Sequence, residues 1–475
     1  MYEYICDSLK SFQGIFSHKS SWVLFCMVVL GFIGTTEMVG VTSFCRFWGV
    51  GESLYKDFLH FFRTSPWSLP TLVTQWGSFV LSQGVALSVQ GRLVLIGDHT
   101  FVPKDGRQMP GVVSMHQNSE TQSKPSYFRA HCWGTIGLVV GSMVAPYCIP
   151  LMLAIHLGMI HIGQTQEVRV EKRKETMGTR IVQMAIDFAL RHNVPSVLIL
   201  DAFFPSGAVF KLSLSVWSME IKKPLVTLII RAKKNCVGYK DPEPSVDRKS
   251  GRKRKYGEKV KLMELFDNLE LFSKVPCRVY GKTEEVFLTT RELFWKPFGQ
   301  KILFVLAVTS RGCLILMCND LTTDPITALE LYCIRHRIEV MIDMLKNVLS
   351  IFSYHFWSKK MPRHSRKPKK NKLLKPVPEP FIPTVQQCWT GCEKFVMIGV
   401  IGLGLLILTG LKYTDTVWEQ FDLYLRTRSR ELPSERTVKQ VVARLIVRDF
   451  LSSAPSAIMQ KIRNRCVRKK FIPEG

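Results

Sequence analysis

The chain has 475 residues, enough for two or three domains and a sizeable core. Its 65 Lys and Arg outnumber 38 Asp and Glu, a formal charge of +27 that favours polyanionic partners, either nucleic acid or an anionic membrane surface. Thirteen cysteines, odd in number and without metal-ligand spacing, argue against a disulfide framework and for a reduced cytosolic protein, and Cys388 and Cys392 lack the second pair that a zinc site needs.

Residues 1–90 read as a helical region separate from the rest of the chain, with a DNA-binding domain as one reading. Within it, Gly40 to Trp76 has short helices broken by Gly, Ser and Pro. That is the rhythm of a helix-turn-helix, and equally of a helical pack that buttresses a core. The apolar run from Trp22 comes after several charged residues and lacks a clear cleavage site, so it is not read as a secretory signal.

Residues 91–234 read as the first part of an α/β core. Arg92 to Gly97 is a short buried strand ending in Asp98, and Val194 to Leu200 is a second ending in Asp201. If these strands are parallel neighbours, the two carboxylates meet at the strands' carboxyl ends, where open α/β sheets form their sites. Glu167 to His192 is the crossover helix that a parallel pair requires. Between Ala130 and Gln166 there is no charged residue, and prolines 146 and 150 divide this stretch into two central strands, about Trp133 to Val144 and Leu151 to His161. Pro224 to Lys234 is a fifth strand.

Residues 235–322 form a β-rich insertion: a basic excursion from Asp241 to Lys259, then RVYG, EEVFLTTRELFW and KILFVLAVTSRGCLILMCN as strands of a small antiparallel sheet. Residues 323–358 return to the core as one helix over 325–350. On it Tyr332, Arg335, Glu339 and Lys346 fall within an arc of about 60°. Ile334, Ile338, Met341, Ile342, Leu345 and Leu349 lie on the other side, as on a helix docked against a core. An acid among cationic and hydrogen-bonding groups suits a metal ligand beside phosphate contacts; a solvated charged face is the plain alternative. Residues 359–390 are a basic linker whose run from Lys359 to Lys375 has no acid, and residues 391–475 are helical. Phe395 to Leu411 is apolar throughout, just short of a usual spanning helix, and is read as a buried core helix.

The stripe Tyr332, Arg335, Glu339, Lys346 resembles the Tyr-(2)-Arg-(3)-Glu-(6)-Lys signature of DDE transposases from bacterial insertion sequences. The preceding CNDLTTDP, the GDHTFVPKDGRQMPGV beginning at Gly97, and the LDAFFPSG beginning at Leu200 are similar to that family's segments. The resemblance implies an RNase H-like core interrupted by the β insertion, and an Asp98-Asp201-Glu339 triad holding two Mg²⁺ or Mn²⁺ ions. Asp98 would bridge the ions, Asp201 ligate one and Glu339 the other. It implies that Tyr332, Arg335 and Lys346 position transposon-end phosphates, with Lys104 and Arg231 as weaker candidates, and that Trp295 stacks on a flipped base. No histidine is needed as a base, and His99 would only shape the site. The partners implied are double-stranded DNA, as terminal inverted repeats and target, and a second copy of the chain on that DNA, in the bacterial cytoplasm with no membrane partner. A metal-dependent nuclease or resolvase on the same fold, and an inactive transposase-derived DNA-binding protein, are the alternatives.

Overall fold

Long apolar runs cannot stay in water, and the fold buries them between helices and one large sheet. The computed structural model describes residues 1–38, 40–116, 127–156, 175–243, 254–365, 376–424 and 431–467. At the amino terminus are α1 (Tyr2–Lys10), α2 (Lys19–Gly34), α3 (Val41–Phe47), α4 (Glu52–Arg63) and α5 (Leu69–Ser82). Helix α2 is buried on all sides from Trp22 to Gly34, the mark of a core helix. In α4 only Leu54, Phe58, Phe61 and Phe62 are buried, one face of an amphipathic helix.

Among the described residues the sheet has thirteen strands. Leaving two-residue strands unlabelled, those of its first half are β1 (Arg92–Pro103), β2 (Val113–His116), β3 (Tyr127–Gly141) and β4 (Pro146–Ile155). Helix α6 (Met177–His192) crosses over to β5 (Ser196–Leu200); then come α7 (Gly207–Ser213) and β6 (Val226–Arg231). Strand β1 pairs in parallel with β5, β5 in parallel with β6, and β3 lies antiparallel to β1 with β4 beyond it. The two expected strands with their acids are therefore parallel neighbours. Their limits differ from expectation, since β1 runs past Asp98 to Pro103. The second half of β1 pairs with β3, Asp98 opposite Thr135 and Pro103 opposite Ala130, which keeps the chain extended after β5 has ended. Helix α6 begins at a Thr176–Thr179 capping box and ends at Asn193 in the left-handed region. The expected start of this helix at Glu167 and the expected end of the second central strand at His161 fall outside the described residues.

Strands β7 (Val237–Tyr239), β8 (Lys259–Lys261), β9 (Ser273–Val279), β10 (Lys282–Trp295), β11 (Gln300–Thr309) and β12 (Gly312–Cys318) come next. They do not make a sheet of their own. Strand β12 pairs antiparallel with β6, Leu316 opposite Arg231 and Cys318 opposite Ile229, so they extend the central sheet. An uncovered β6 edge would expose a row of unpaired backbone groups, and β12 closes it. Most of the basic excursion, residues 244–253, lies outside the described residues.

Asp324 caps α8 (Pro325–Ile334) by accepting the Thr327 N–H at 2.7 Å. The single helix expected over 325–350 is instead α8, α9 (Arg337–Asp343) and a π turn at Met344–Val348. The break falls at Arg335, where N–H groups bond three residues back: Arg335 to Tyr332 and Ile338 to Arg335. The six apolar residues expected to face the core are all buried.

Helices α10 (Ile382–Lys412), α11 (Thr414–Gln420), α12 (Glu435–Leu451) and α13 (Ala457–Val467) complete the chain. By length and composition α10 is long and apolar enough to cross a membrane, yet 94% of its apolar window is buried inside the protein. It packs against α2, α4, α12 and β4, and Trp76 of α5 donates to the Pro150 carbonyl of β4 at 2.9 Å. Amino-terminal and carboxy-terminal helices thus share one apolar layer rather than standing apart from the core.

Candidate active site

The register of β1 and β5 fixes the first two acids. Ile96 pairs with Ile199, so Asp98 and Asp201 stand two residues further along neighbouring parallel strands. The Cβ of a larger residue at Gly97 would strike Ile181 of α6, so glycine lets that helix lie close beneath the acid. Asp98 Oδ1 accepts the His99 N–H at 2.7 Å. Burial raises the Asp98 carboxyl above its ordinary range; Arg335 opposes this and the nearby Asp201 charge adds to it. Asp201 Oδ1 accepts the Phe203 N–H at 2.8 Å, a turn that leads into α7, whose Ser206 cap accepts the Val209 N–H. Gly207 is required there, because a Cβ would run into the Pro297 carbonyl on the β10–β11 connection.

The third acid arrives on α9. Arg335, at the break between α8 and α9, donates from Nη1 to Asp98 Oδ2 at 3.1 Å and from Nη2 to Glu339 Oε1 at 2.7 Å. Its side chain is 13% exposed, against 21% for Asp98 and 61% for Glu339. Asp201 is close enough to act electrostatically on both Asp98 and Arg335. Tyr332 is buried, which raises its phenol, and it lies within hydrogen-bonding reach of the exposed Arg231. Lys346 is half-buried in the π turn. Sequence segments more than 100 residues apart thus converge, bringing Asp98, Asp201, Arg231, Tyr332, Arg335 and Glu339 together.

Two expected residues sit otherwise. The Lys104 ammonium is buried and donates to the Phe352 carbonyl at 2.5 Å and the Tyr354 carbonyl at 3.0 Å, with Tyr354's ring 3.7 Å away; desolvation lowers it to about 8. It pins the chain after the π turn to the end of β1. Trp295 is 9% exposed, with its ring edge-on to Phe210, and it lines a cavity of about 260 Å³ with Tyr239, Lys233, Lys296 and Pro205. Those neighbours escaped sequence reading, although Lys296 directly follows Trp295 and Pro205 lies in the segment after Asp201. Also unforeseen is the pair behind Asp98: His99 Nε2 lies 2.8 Å from His156 Nδ1, whose other nitrogen meets Met184 Sδ. Burial lowers His99 to about 4 and His156 to about 2, so both are neutral at pH 7.

Chemically, the site offers hard carboxylate oxygens around one guanidinium, with cationic and phenolic groups beside them. Oxygen donors of this kind suit Mg²⁺ or Mn²⁺ over zinc. Among the described residues no group of three His, Cys, Asp or Glu is gathered tightly enough to hold an ion as it stands. Asp98 and Glu339 nevertheless meet at Arg335, with Asp201 near enough to act on it electrostatically, and in donor type and pooled charge the three acids fit a divalent cation.

The family model described as DDE superfamily endonuclease matches residues 27–268, just over half of the chain. The matched stretch holds Asp98 and Asp201 and ends before Glu339. No curated protein matches the chain. Nucleases of this superfamily generally use divalent metals and act on DNA.

Proposed function

Because the chain belongs to the DDE superfamily endonuclease family, we propose that it is the transposase of a bacterial insertion sequence, cutting DNA at the element's ends and joining those ends to target DNA. The observation that carries this reading is the convergence of three distant segments: Asp98 and Asp201 in register on a parallel pair, with Arg335 of the signature stripe bonded to both Asp98 and Glu339. The strand order β4-β3-β1-β5-β6, with α6 crossing between β4 and β5, supports an RNase H-like core.

In this reading Asp98, Asp201 and Glu339 hold Mg²⁺ or Mn²⁺. When bound, the metal supplies Lewis acidity at the scissile phosphate, for the attacking hydroxyl and the leaving 3′-oxygen. The chain's other residues position DNA. Arg335 at the joint between α8 and α9 and Lys346 in the π turn, together with Tyr332 and Arg231, take backbone phosphates. The cavity of Tyr239, Trp295, Lys233 and Lys296 receives a displaced base, where stacking is worth about 1 to 3 kcal/mol. Lys104 supports the site from behind. Helix α10 is a core helix, and the partners are terminal repeats, target DNA and a second copy of the chain, in the cytoplasm.

The test is Mg²⁺-dependent cleavage of a duplex carrying the element's end. Asp98→Ala, Asp201→Ala and Glu339→Ala each reduce cleavage to background while end binding stays nearly intact, since phosphate contacts lie mostly elsewhere. A variant cutting at the wild-type rate overturns the triad. Adding a target plasmid separates a transposase, which yields joined products, from a nuclease, which yields cuts alone.

A further inference from the structure

Arg335 pairs with both Asp98 and Glu339. A guanidinium stays charged at any working pH, so it leaves a carboxylate only by moving. Three acids and one arginine sum to −2, a charge that a divalent cation neutralises and that a second cation exceeds unless Arg335 or a phosphate compensates. The backbone at Arg335 is already tightened to three-residue hydrogen bonding, at the joint between α8 and α9. Glu339 is mostly exposed and reaches back to a guanidinium that is mostly buried, so before metal binds the arginine holds the acid in place.

We propose that Arg335 is a built-in countercation: it holds Asp98 and Glu339 together before metal binds, competes with metal for their oxygens, and on release turns to a DNA phosphate. This rests on the reading of the three acids as metal ligands. It couples assembly of the site to the arrival of metal and DNA together, because a released Arg335 beside bound cations needs an anion. The coupling has the size of ordinary linkage between sites, about 5- to 150-fold in affinity.

The test is titration with Mn²⁺ alone, without DNA, followed by calorimetry or by the spin signal of free Mn²⁺. Arg335→Gln is expected to bind Mn²⁺ about tenfold more tightly than the wild type and to melt at a lower temperature without metal; Arg335→Lys, which keeps the charge, is expected to stay near the wild type in affinity. Asp201→Asn touches neither Arg335 bond and is expected to weaken Mn²⁺ binding. If Asp201→Asn titrates like the wild type, the metal reading itself falls. If Asp201→Asn weakens binding while Arg335→Gln binds Mn²⁺ no more tightly than the wild type, the countercation falls and the metal reading stands. The wild-type protein gives a check free of folding artefacts: on saturation with Mg²⁺, the Arg335 Nε–H resonance, identified by its loss in Arg335→Lys, is expected to shift and exchange faster with water. An unmoved, protected resonance overturns the proposal.

Discussion

The β1–β5 pair and the α8–α9 joint contribute acids to the same place by different means. Asp98 and Asp201 are set by strand register inside a thirteen-stranded sheet, where slippage by one residue would turn every side chain to the other face. Glu339 sits on a helix whose hydrogen bonding tightens just before it and loosens into a π turn just after it. Its side chain is 61% exposed, and its partner within the cluster is Arg335. Two acids are thus built into the scaffold, while the third is held by an ion pair. A cluster divided in this way has a rigid half that fixes two carboxylates and an adjustable half that brings the third.

The largest expected effect breaks the rigid half. Asp98→Ala and Asp201→Ala are expected to abolish cleavage at any metal concentration. Glu339→Asp, which shortens the reach of the adjustable half, is expected to retain measurable activity that rises with added Mn²⁺. Steady-state cleavage across a metal titration checks the difference, and equal, unrescued loss in all three variants would erase it.

Next is the tie between the halves. Asp320, just after β12, accepts from Arg92 at the start of β1 at 3.0 Å and from Lys223 at 2.8 Å, and it turns the chain toward α8 through the Thr322 N–H. Asp320→Asn strands a buried Arg92, and a loss of about 3 to 5 kcal/mol in denaturant unfolding is expected. Burial alone would raise the Asp320 carboxyl, but Lys223, Thr322 and Arg92 outweigh it and bring it down to about 2, from an ordinary 3.8. Its folded value is depressed, so its contribution is full above about pH 4 and is lost as pH falls through about 2. Stability measured across that window should fall less steeply in Asp320→Asn than in the wild type.

Much of the rigid half was legible in sequence because it derives from local pattern. Apolar runs of strand length ended at Asp98 and Asp201, and a periodic segment between them supplied the crossover helix. The continuation of β1 beyond Asp98 was not legible, because it depends on β3 pairing with it from residues 130–135, a long-range choice. The adjustable half was legible as a stripe and not as a shape. Spacing placed Tyr332, Arg335, Glu339 and Lys346 on one face and the six apolar residues on the other. The joint at Arg335 and the π turn arise from packing, and the sharing of Arg335 between two acids requires the folded chain. Lys104 illustrates the same limit: composition marks a cation, and only the fold turns its ammonium onto two carbonyls.

A smaller effect sharpens the comparison on the DNA side. Lys346→Ala is expected to weaken end binding and to reduce the slope of log affinity against log salt by about one charge, with cleavage at saturating DNA falling less than in Glu339→Ala. An unchanged slope would return Lys346 to a solvated face.

The most direct test of the central claim, that the two halves form one metal site, is to replace Mg²⁺ with Fe²⁺ and map where ascorbate and peroxide cut the polypeptide. Radicals formed at a bound ion cleave the nearest backbone. The account predicts three clusters of cuts, around residues 98, 201 and 335–339, all suppressed by excess Mg²⁺. Cuts around 98 and 201 with none near 339, or cuts that Mg²⁺ does not suppress, would contradict it.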